Sequence, residues 1–196
     1  MAASPSGPSE RGAAIVELAM VAGLLVFLAL GVLEVGAAWS DHQALTQSSR
    51  SGARVASQMG TAGEADAEVL RAIDASLGPL GGQIRRVVVY EADINGDMPA
   101  ACSAAVPGYS GSGHCNVYGR SDLDSLDDVT QWGSGSSCGP TDSNWCSATE
   151  RVDIQSTATF IGVKVELDRP LLTGVFGAGT HTLSETTVMR IEPDLQ

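Results

Sequence analysis

Basic residues are scarce in this chain of 196 residues. It holds 11 lysines and arginines against 23 aspartates and glutamates, and its formal net charge at pH 7 is −12. Most of that charge lies after Gly60, where 19 acidic residues stand against 8 basic ones. A domain of this sign repels the phosphate backbone of nucleic acids, and no segment interleaves basic with aromatic residues. We therefore expect no nucleic-acid partner.

Charge of either sign is absent from one long apolar run. Residues 18–33 carry none, and extending the run over residues 13–39 takes it well past 20 residues with only two acids, Glu17 and Glu34. A bilayer core requires about 20 apolar residues as helix. The apolar region of a cleaved secretory signal is shorter, roughly 7–15 residues. The run predicts a single transmembrane anchor, with the rest of the chain on one side of the membrane.

The same helix is predicted to continue beyond the apolar run. Small and weakly apolar residues recur at alternating spacings of three and four, which places them on one helical face. Small residues of this kind let neighbouring helices approach closely. We expect a transmembrane and stem helix over residues 13–60, preceded by a leader or cytoplasmic tail over residues 1–12. The stripe consists of Val35, Ala38, His42, Leu45, Ser49, Gly52, Ala56 and Met59.

Residues 61–196 predict an α+β domain. The segment EADAEVLRAIDASLG reads as a helix with Ala67, Leu70, Ile73 and Leu77 on its buried side. β-Branched residues and two-residue alternation predict strands in QIRRVVVYEA, FIGVKVEL and HTLSETTVMRIE. Because the last two strands follow each other without a crossover helix, they favour a small antiparallel sheet of about three strands.

All four cysteines lie in one glycine- and serine-rich loop, residues 98–150. An even number of cysteines in a loop indicates disulfides and an oxidising compartment outside the cytoplasm. Pairing Cys102 with Cys115 and Cys138 with Cys146 closes the shortest loops, although three pairings are open. Such cross-links would constrain a loop that is otherwise too long for a compact domain.

Candidate metal and catalytic residues are few. Asp93, Asn95 and Asp97 have the spacing of the start of a calcium loop, but Ala104 stands at the twelfth position, where glutamate is needed. His114 has no C-x-x-C near it, which disfavours a zinc site. We expect no enzyme, no cofactor and no metal site beyond these weak calcium candidates. The chain's histidines, none of them near a catalytic motif, are His42, His114 and His181.

The start of the apolar run has a recognisable pattern. Gly12 is followed by AAIVE, so that Glu17 stands fifth after a glycine. This resembles the prepilin-peptidase site of type IV pilins, with cleavage between Gly12 and Ala13. The longer stretch RGAAIVELAMVAGLLVFLALGVLEVGAAW is similar to the N-terminus of TadE/TadG-like proteins, the minor pilins or pseudopilins of the tight-adherence (Flp) pilus. Glu17 and Glu34 match the two glutamates of that pattern.

The resemblance extends over residues 11–58 and, more loosely, residues 159–192. It implies a protein of the cytoplasmic membrane that spans it once, with its C-terminal domain outside the cytoplasm and able to enter the extracellular pilus. It also implies a role in pilus assembly or initiation and in surface adhesion. The implied partners are other pilin and minor pilin subunits, the prepilin peptidase, the membrane platform for pilus assembly and membrane lipid. Leu18 and Val35 replace the usual aromatic residues of the family.

The resemblance gives both glutamates a role in subunit packing. Cleavage would leave Ala13 with a free α-amine, whose unperturbed pKa is about 7.7–8.0. Glu17 could then pair with the amine of a neighbouring subunit. Glu34 lies 17 residues further on, about 26 Å along a helix, and would mark the opposite membrane interface. The alternative is a single-span, membrane-anchored extracellular protein that binds calcium or another ligand without any pilus role.

Overall fold

The computed structural model describes residues 8–128, 130–154, 156–174, 177 and 179–193, and of residues 8–11 it describes the backbone alone. Most of the predicted leader, Met1–Gly7, lies outside the described residues. The chain forms two compact units. The first comprises Met1–Ser40 with Pro170–Gly179, and the second comprises Asp41–Arg169 with Thr180–Gln196.

The predicted α+β class with a long N-terminal helix is confirmed. Helix α1 runs over Pro8–Met59 and α2 over Ala65–Leu77, and a 3₁₀ turn follows at Gly78–Gln83. The strands are β1 Ile84–Ala92, β2 Cys115–Tyr118, β3 Phe160–Pro170 and β4 Thr180–Arg190. Short helices α3 Ala100–Ser103, α4 Arg120–Asp124 and α5 Ser147–Glu150, with a second 3₁₀ turn at Ser143–Trp145, lie between β1 and β3.

The four strands form one antiparallel sheet in the order β2-β1-β3-β4. The three predicted strands correspond to β1, β3 and β4. The fourth, β2, lies inside the predicted loop and pairs with β1 through Val88 opposite Val117. Its four residues, CNVY, follow a serine- and glycine-rich stretch and are too few to show a period of two.

One face of the sheet packs against α2 and the second half of α1. The predicted buried side of α2 is confirmed. In β3 the predicted residues Ile161, Val163, Val165 and Leu167 are buried, but Gly162 and Glu166 between them are buried too, so burial does not alternate along this strand. Helix α1 approaches closely at Gly52, where an added Cβ would lie 2.8 Å from Ile73 Cγ1 and 3.3 Å from Val163 Cγ1. The core on this face includes Leu45, Ala53, Ala56, Val69, Leu70, Ile73, Val87, Val89, Ile161, Val163, Val165 and Leu167.

The opposite face of the sheet is covered by the first cysteine loop. Val88 and Tyr90 of β1 pack there with Val117 of β2 and the half-cystines Cys102 and Cys115. Strand β1 is therefore buried on both faces. This explains its uninterrupted VVVY run, since a strand that faces water on one side alternates instead.

The small-residue stripe of α1 is buried only in its second half. Leu45, Ser49, Gly52 and Ala56 are buried. Val35, at the start of the stripe, is 66% exposed. Its neighbour Glu34 is buried instead, with 5% of its surface exposed, because the loop after β3 covers the side of the helix on which Glu34 lies.

Candidate functional site

The first half of α1 presents an apolar surface. The helix is long and apolar enough to cross a membrane, and its most apolar window of eighteen residues has a mean hydropathy of 2.6 with none of it buried. Leu24, Leu25 and Phe27 each expose more than half of their surface. Contiguous exposed apolar surface of this extent indicates contact with lipid or with other apolar helices. The helix therefore fits a single-pass membrane anchor.

The predicted cleavage and pairing residues all lie on this exposed helix. Gly12, Ala13 and Glu17 are exposed, and a Cβ added to Gly12 would meet nothing within 4 Å. Glu17 is thus a carboxylate on an apolar helical surface. In lipid such a group is costly unless a cation or a hydrogen-bond donor accompanies it.

Glu34 has a different environment from Glu17. It is 5% exposed, and its carboxylate accepts hydrogen bonds from the loop that joins β3 to β4. The Leu172 N–H lies 3.1 Å from Oε1 and 3.0 Å from Oε2. Oε2 also accepts from the Thr173 N–H at 2.8 Å and from Thr173 Oγ1 at 3.0 Å. Hydrogen bonds to an ionised carboxylate are about twice as strong as neutral ones, so Glu34 holds this loop on the helix.

The two ends of the loop held by Glu34, residues 171–179, are joined by a backbone hydrogen bond. The Leu171 N–H donates to the Gly179 carbonyl at 3.1 Å. Within the loop, the Gly177 N–H donates to the Gly174 carbonyl at 3.1 Å. Gly174 and Gly177 have φ of 64° and 105°, a backbone region that side chains disfavour. The glycines of this segment therefore permit its turn.

The second half of α1 is fastened to the sheet by polar contacts. Thr46 Oγ1 donates to Glu185 Oε1 at 3.0 Å, and Ser49 Oγ lies 2.9 Å from Thr187 Oγ1. Arg169, at the end of β3, forms an ion pair with Asp41. The polar residues of the stem thus contact β4 and β3. Its small residues allow α2 to pack closely against α1.

Two disulfides close the cysteine loop into two short rings. Cys102 joins Cys115 with their Cα atoms 6.2 Å apart, and Cys138 joins Cys146 with theirs 5.7 Å apart. This is the pairing that closes the shortest loops. The first disulfide packs under β1, and the second encloses the 3₁₀ turn that carries Trp145.

The weak calcium candidates form a self-contained turn. Asp93 Oδ1 accepts the N–H groups of Asn95 and Asp97, each at 2.8 Å. These hydrogen bonds stabilise the carboxylate and lower the pKa of Asp93. Across the part of the chain that the structure describes, no three His, Cys, Asp or Glu side chains are grouped so as to hold a metal ion.

The histidines lie apart from one another. His42 lies on the stem helix, and its Nε2 is 3.9 Å from Oε1 of Glu185 in β4. His114 contacts the carboxylate of Glu91 in β1. His181 is exposed at the start of β4.

The comparisons with known proteins bear on the N-terminal helix. The model of the family described as TadE-like protein matches residues 12–54. The N-terminal segment is TadE-like. It spans fewer than a quarter of the residues and takes in Gly12, Glu17 and Glu34, as well as the stem up to Arg54. The match is consistent with the resemblance of this segment to proteins of the tight-adherence pilus system. No curated protein and no solved structure matches the chain.

Beyond the TadE-like segment, the sequence analysis missed a buried ionic cluster. Arg151 Nη2 lies 2.6 Å from Asp66 Oδ1, and both side chains are almost fully buried. Asp66 Oδ2 also accepts from Tyr118 OH at 2.6 Å and from Asn116 Nδ2 at 2.8 Å. The Arg151 guanidinium stacks 4.2 Å from the centre of the Trp145 ring. The cluster ties α2 to β2 and to the second disulfide ring.

Asp142 borders this cluster, since its carbonyl accepts from Asn116 Nδ2 at 3.2 Å. The pKa values of Asp142 and Tyr118 are both displaced. Burial raises the pKa of Asp142 to about 6, and the negative charge of Asp66 adds to that rise. Burial also raises the pKa of Tyr118, again with a contribution from Asp66. No sequence signal marked these residues. An acid in the first turn of a helix is ordinarily explained by the helix dipole, and Arg151 lies 85 residues away from Asp66.

Proposed function

We propose that the chain is a minor pilin or pseudopilin that acts in the assembly or initiation of a tight-adherence pilus. One observation carries the proposal. The TadE-like helix keeps its most apolar window entirely unburied and bears an exposed Glu17 five residues after Gly12. Such a surface can face lipid before assembly and the helices of neighbouring subunits afterwards.

Glu17 would serve as a register device in this scheme. Prepilin peptidase would cut after Gly12 and leave the α-amine of Ala13. In an apolar environment an unpaired carboxylate is strongly unfavourable, so one subunit's Glu17 would select the position at which a neighbour's amine reaches it. This pairing requires both groups to be accessible, and Ala13 and Glu17 are exposed.

The disulfide-linked domain would then lie outside the cytoplasm and contribute to surface adhesion. Its two disulfides suit an oxidising compartment. Its function in this proposal is structural rather than enzymatic, and its partners are other pilin subunits and the membrane platform of the assembly machinery.

The first test is the mass of the mature N-terminus from cells that carry a prepilin peptidase. A chain that begins at Ala13 is expected. A chain that begins at Met1 or Ala2 would contradict cleavage and favour the alternative, a single-span anchored binding protein without a pilus role. A strain that lacks the peptidase provides the control, since its chain should keep residues 1–12.

The second test is Glu17→Ala. The variant should insert into membranes normally, because a charge has been removed, but it should be depleted from sheared pili. Glu192→Ala, which changes an exposed glutamate outside the helix, is the matched control and should leave incorporation unchanged. Wild-type incorporation of the Glu17 variant would overturn the pairing mechanism.

A further inference from the structure

We infer that the stem of α1 carries a docking surface for a second copy of this chain, in which Arg50 and Arg54 of one copy bind Asp127 and Asp128 of the next. All four residues belong to the second unit. The inference goes beyond the proposed function, since the contact also serves anchored copies that never enter a pilus. In the proposed pilus it aligns the domains of neighbouring subunits.

The exposed face of the stem has an unusual composition for so acidic a chain. Every exposed residue of α1 between positions 41 and 59 is a glutamine or an arginine, although the chain holds 23 acidic residues against 11 basic ones. These residues recur mostly at spacings of three and four, so they form one stripe along the helix. The basic stripe consists of Gln43, Gln47, Arg50, Arg54 and Gln58.

The two arginines of the basic stripe differ from the other bases of the chain. Within the part of the chain that the structure describes, neither guanidinium makes a hydrogen bond or an ion pair. Like charges one turn apart on a helix repel each other, so the arrangement is unfavourable until an anion approaches both. Arg190, by contrast, lies 5.9 Å from the centre of the Phe160 ring. The bases that pair with carboxylates of the same chain are Arg71, Arg85, Arg86, Arg120, Arg151, Lys164 and Arg169.

The surroundings of the arginine pair suit a carboxylate. Arg50 and Arg54 border a pocket of about 350 Å³, together with Gln47, Ser51 and Met189. A guanidinium binds a carboxylate through two parallel N–H···O bonds, and the glutamine amide and serine hydroxyl add neutral donors. The described lining of this pocket contains no acid, so a carboxylate that binds here is supplied by a partner.

The densest group of acids in the sequence offers such carboxylates. Residues 122–128 contain four aspartates, and the last two, Asp127 and Asp128, are exposed. The fully exposed Asp127 carboxylate lies 3.9 Å from Arg71 Nη2. That guanidinium also pairs with Glu68, so it does not neutralise both aspartates. Asp127 and Asp128 form the acidic patch.

Contacts within the second unit place the two surfaces at the same level of the stem. Gly52, midway between the two arginines, faces Ile73 of α2, since an added Cβ would lie 2.8 Å from Ile73 Cγ1. Arg71 lies two residues before Ile73 and contacts Asp127. The acidic patch is therefore level with positions 50–54 of α1 to within about one helical turn.

The two surfaces also lie on opposite sides of the helix pair. Two residues turn an α-helix by about 200°, so Arg50 and Arg54 point away from the side on which Gly52 meets α2. By the same rule, Arg71 points away from the side on which Ile73 meets α1. Copies that pack with parallel stems therefore bring the basic stripe of one against the acidic patch of the next. Because the contact joins unlike surfaces, it repeats from copy to copy, as a filament requires.

The test uses reciprocal charge reversal in the full chain. Two differently tagged copies are co-expressed, solubilised in mild detergent at low salt and scored by co-purification. One variant is Arg50→Glu/Arg54→Glu, and the other is Asp127→Lys/Asp128→Lys. Wild-type copies should co-purify, and each variant should co-purify with itself several-fold less, because like charges then face each other. The two variants together should recover the wild-type yield, since each contact again joins opposite charges.

A charge-matched control separates the contact from a general effect of net charge. Asp97→Lys/Glu192→Lys changes the net charge as much as the aspartate variant does, at two exposed acids outside the acidic patch. This control should co-purify with itself as well as the wild type does. Raising NaCl from about 0.05 to about 0.5 M should weaken both the wild-type association and the reciprocal one, because salt screens exposed charges.

Undiminished self-association of either charge-reversed variant overturns the inference. Absence of wild-type co-purification, or failure of the reciprocal pair to recover, overturns it too. Recovery shows that the single variants are folded, because a misfolded copy is not rescued by another. Undiminished self-association of Arg50→Glu/Arg54→Glu, together with loss of its binding to phosphatidylglycerol vesicles, overturns the inference and assigns the two arginines to an anionic lipid.

The mass of the mature N-terminus, measured on the same samples, separates this inference from the proposed function. Charge-dependent association of chains that keep residues 1–12 would support the contact and contradict cleavage. Chains that begin at Ala13 but associate regardless of charge would overturn the contact and leave the proposed function intact.

Discussion

The two units of the molecule treat apolar residues in opposite ways. In the first unit, the most apolar window of α1 is completely unburied. In the second unit, the same helix continues with serine, glycine and alanine, and there Ser48, Ser49, Ala53 and Ala56 are fully buried. Along α1, hydropathy therefore does not identify the half that is buried in the protein. The two halves of α1 differ in residue type because their surroundings differ. The apolar side chains of the first half suit lipid, whereas the second half needs small residues to fit against α2 and the sheet.

The buried carboxylates of the two units also differ. Glu34 accepts hydrogen bonds from backbone and hydroxyl donors of one loop. Asp66 is stabilised by the Arg151 guanidinium together with two neutral donors. A full ion pair suits a closed core, where removal of one partner leaves a buried charge. The Leu172 and Thr173 donors attach a loop to α1 at Glu34.

The largest expected effect comes from removing a leucine in each half of α1. Leu45→Ala leaves a cavity in the core, where the side chain is fully buried, and should lower the free energy of unfolding by about 2–5 kcal/mol. Leu25→Ala, at a residue 60% exposed, should leave the unfolding of the second unit unchanged. Denaturant unfolding of the full chain in detergent, followed by near-UV circular dichroism, measures both. Equal losses in the two variants would contradict the difference in burial between the two halves of α1.

Two glycines of α1, one in each half of the helix, should also respond differently to substitution, with a smaller effect. Gly52→Ala would bring a methyl group into Ile73 and should destabilise the domain by about 1–3 kcal/mol through overpacking. A Cβ at Gly36 would meet nothing within 4 Å, so Gly36→Ala should be neutral or improve the helix. Thermal unfolding distinguishes the variants. A stable Gly52→Ala protein would show that α1 does not pack closely on α2.

The smallest expected effect is a dependence on pH that belongs to the second unit. Because the pKa of Asp142 is raised to about 6 in the folded chain from an ordinary 3.8, the unfolded chain binds fewer protons between these values. Stability contributed by this group therefore falls as pH rises from about 4 to 6. Asp142→Asn should remove that fall and raise Tm at pH 7 by a few degrees relative to the wild type.

The control for this prediction is Asp127→Asn, which changes a fully exposed carboxylate. Its Tm should follow the wild type at every pH. Measurements are best made above pH 5, because Glu166 has the opposite dependence: its pKa is lowered to about 2 by Arg86, and its contribution is lost in acid. A Tm difference between Asp142→Asn and wild type that does not change with pH would refute the assignment.

Local patterns accounted for much of the fold. The spacing of Leu70, Ile73 and Leu77 predicted the buried side of α2, and the alternation of Ile161, Val163 and Val165 predicted that of β3. Strand β2 was missed because four residues within a glycine- and serine-rich loop carry no period. Its existence depends on pairing with β1, a contact that tertiary structure provides.

The candidate site likewise has features that the sequence predicts and contacts that only the folded chain creates. Gly12, Glu17 and the apolar run are visible in the sequence, because they are contiguous and chemically distinct. The partners of Glu34 lie 138 and 139 residues away, and Arg151 lies 85 residues from Asp66. No local pattern encodes a partner at such a separation, so neither hydrogen-bonded cluster could be predicted.

The hydropathy of α1, the positions of its glutamates and a cysteine set fit for disulfides are visible in the chain alone, since these are properties of single residues and short periods. Which half of α1 is buried, and which groups satisfy each buried carboxylate, depends on the fold, because burial and hydrogen bonding are set by the residues that folding brings near. Glu34 and Val35 are adjacent in the chain, yet the loop after β3 covers one and leaves the other exposed.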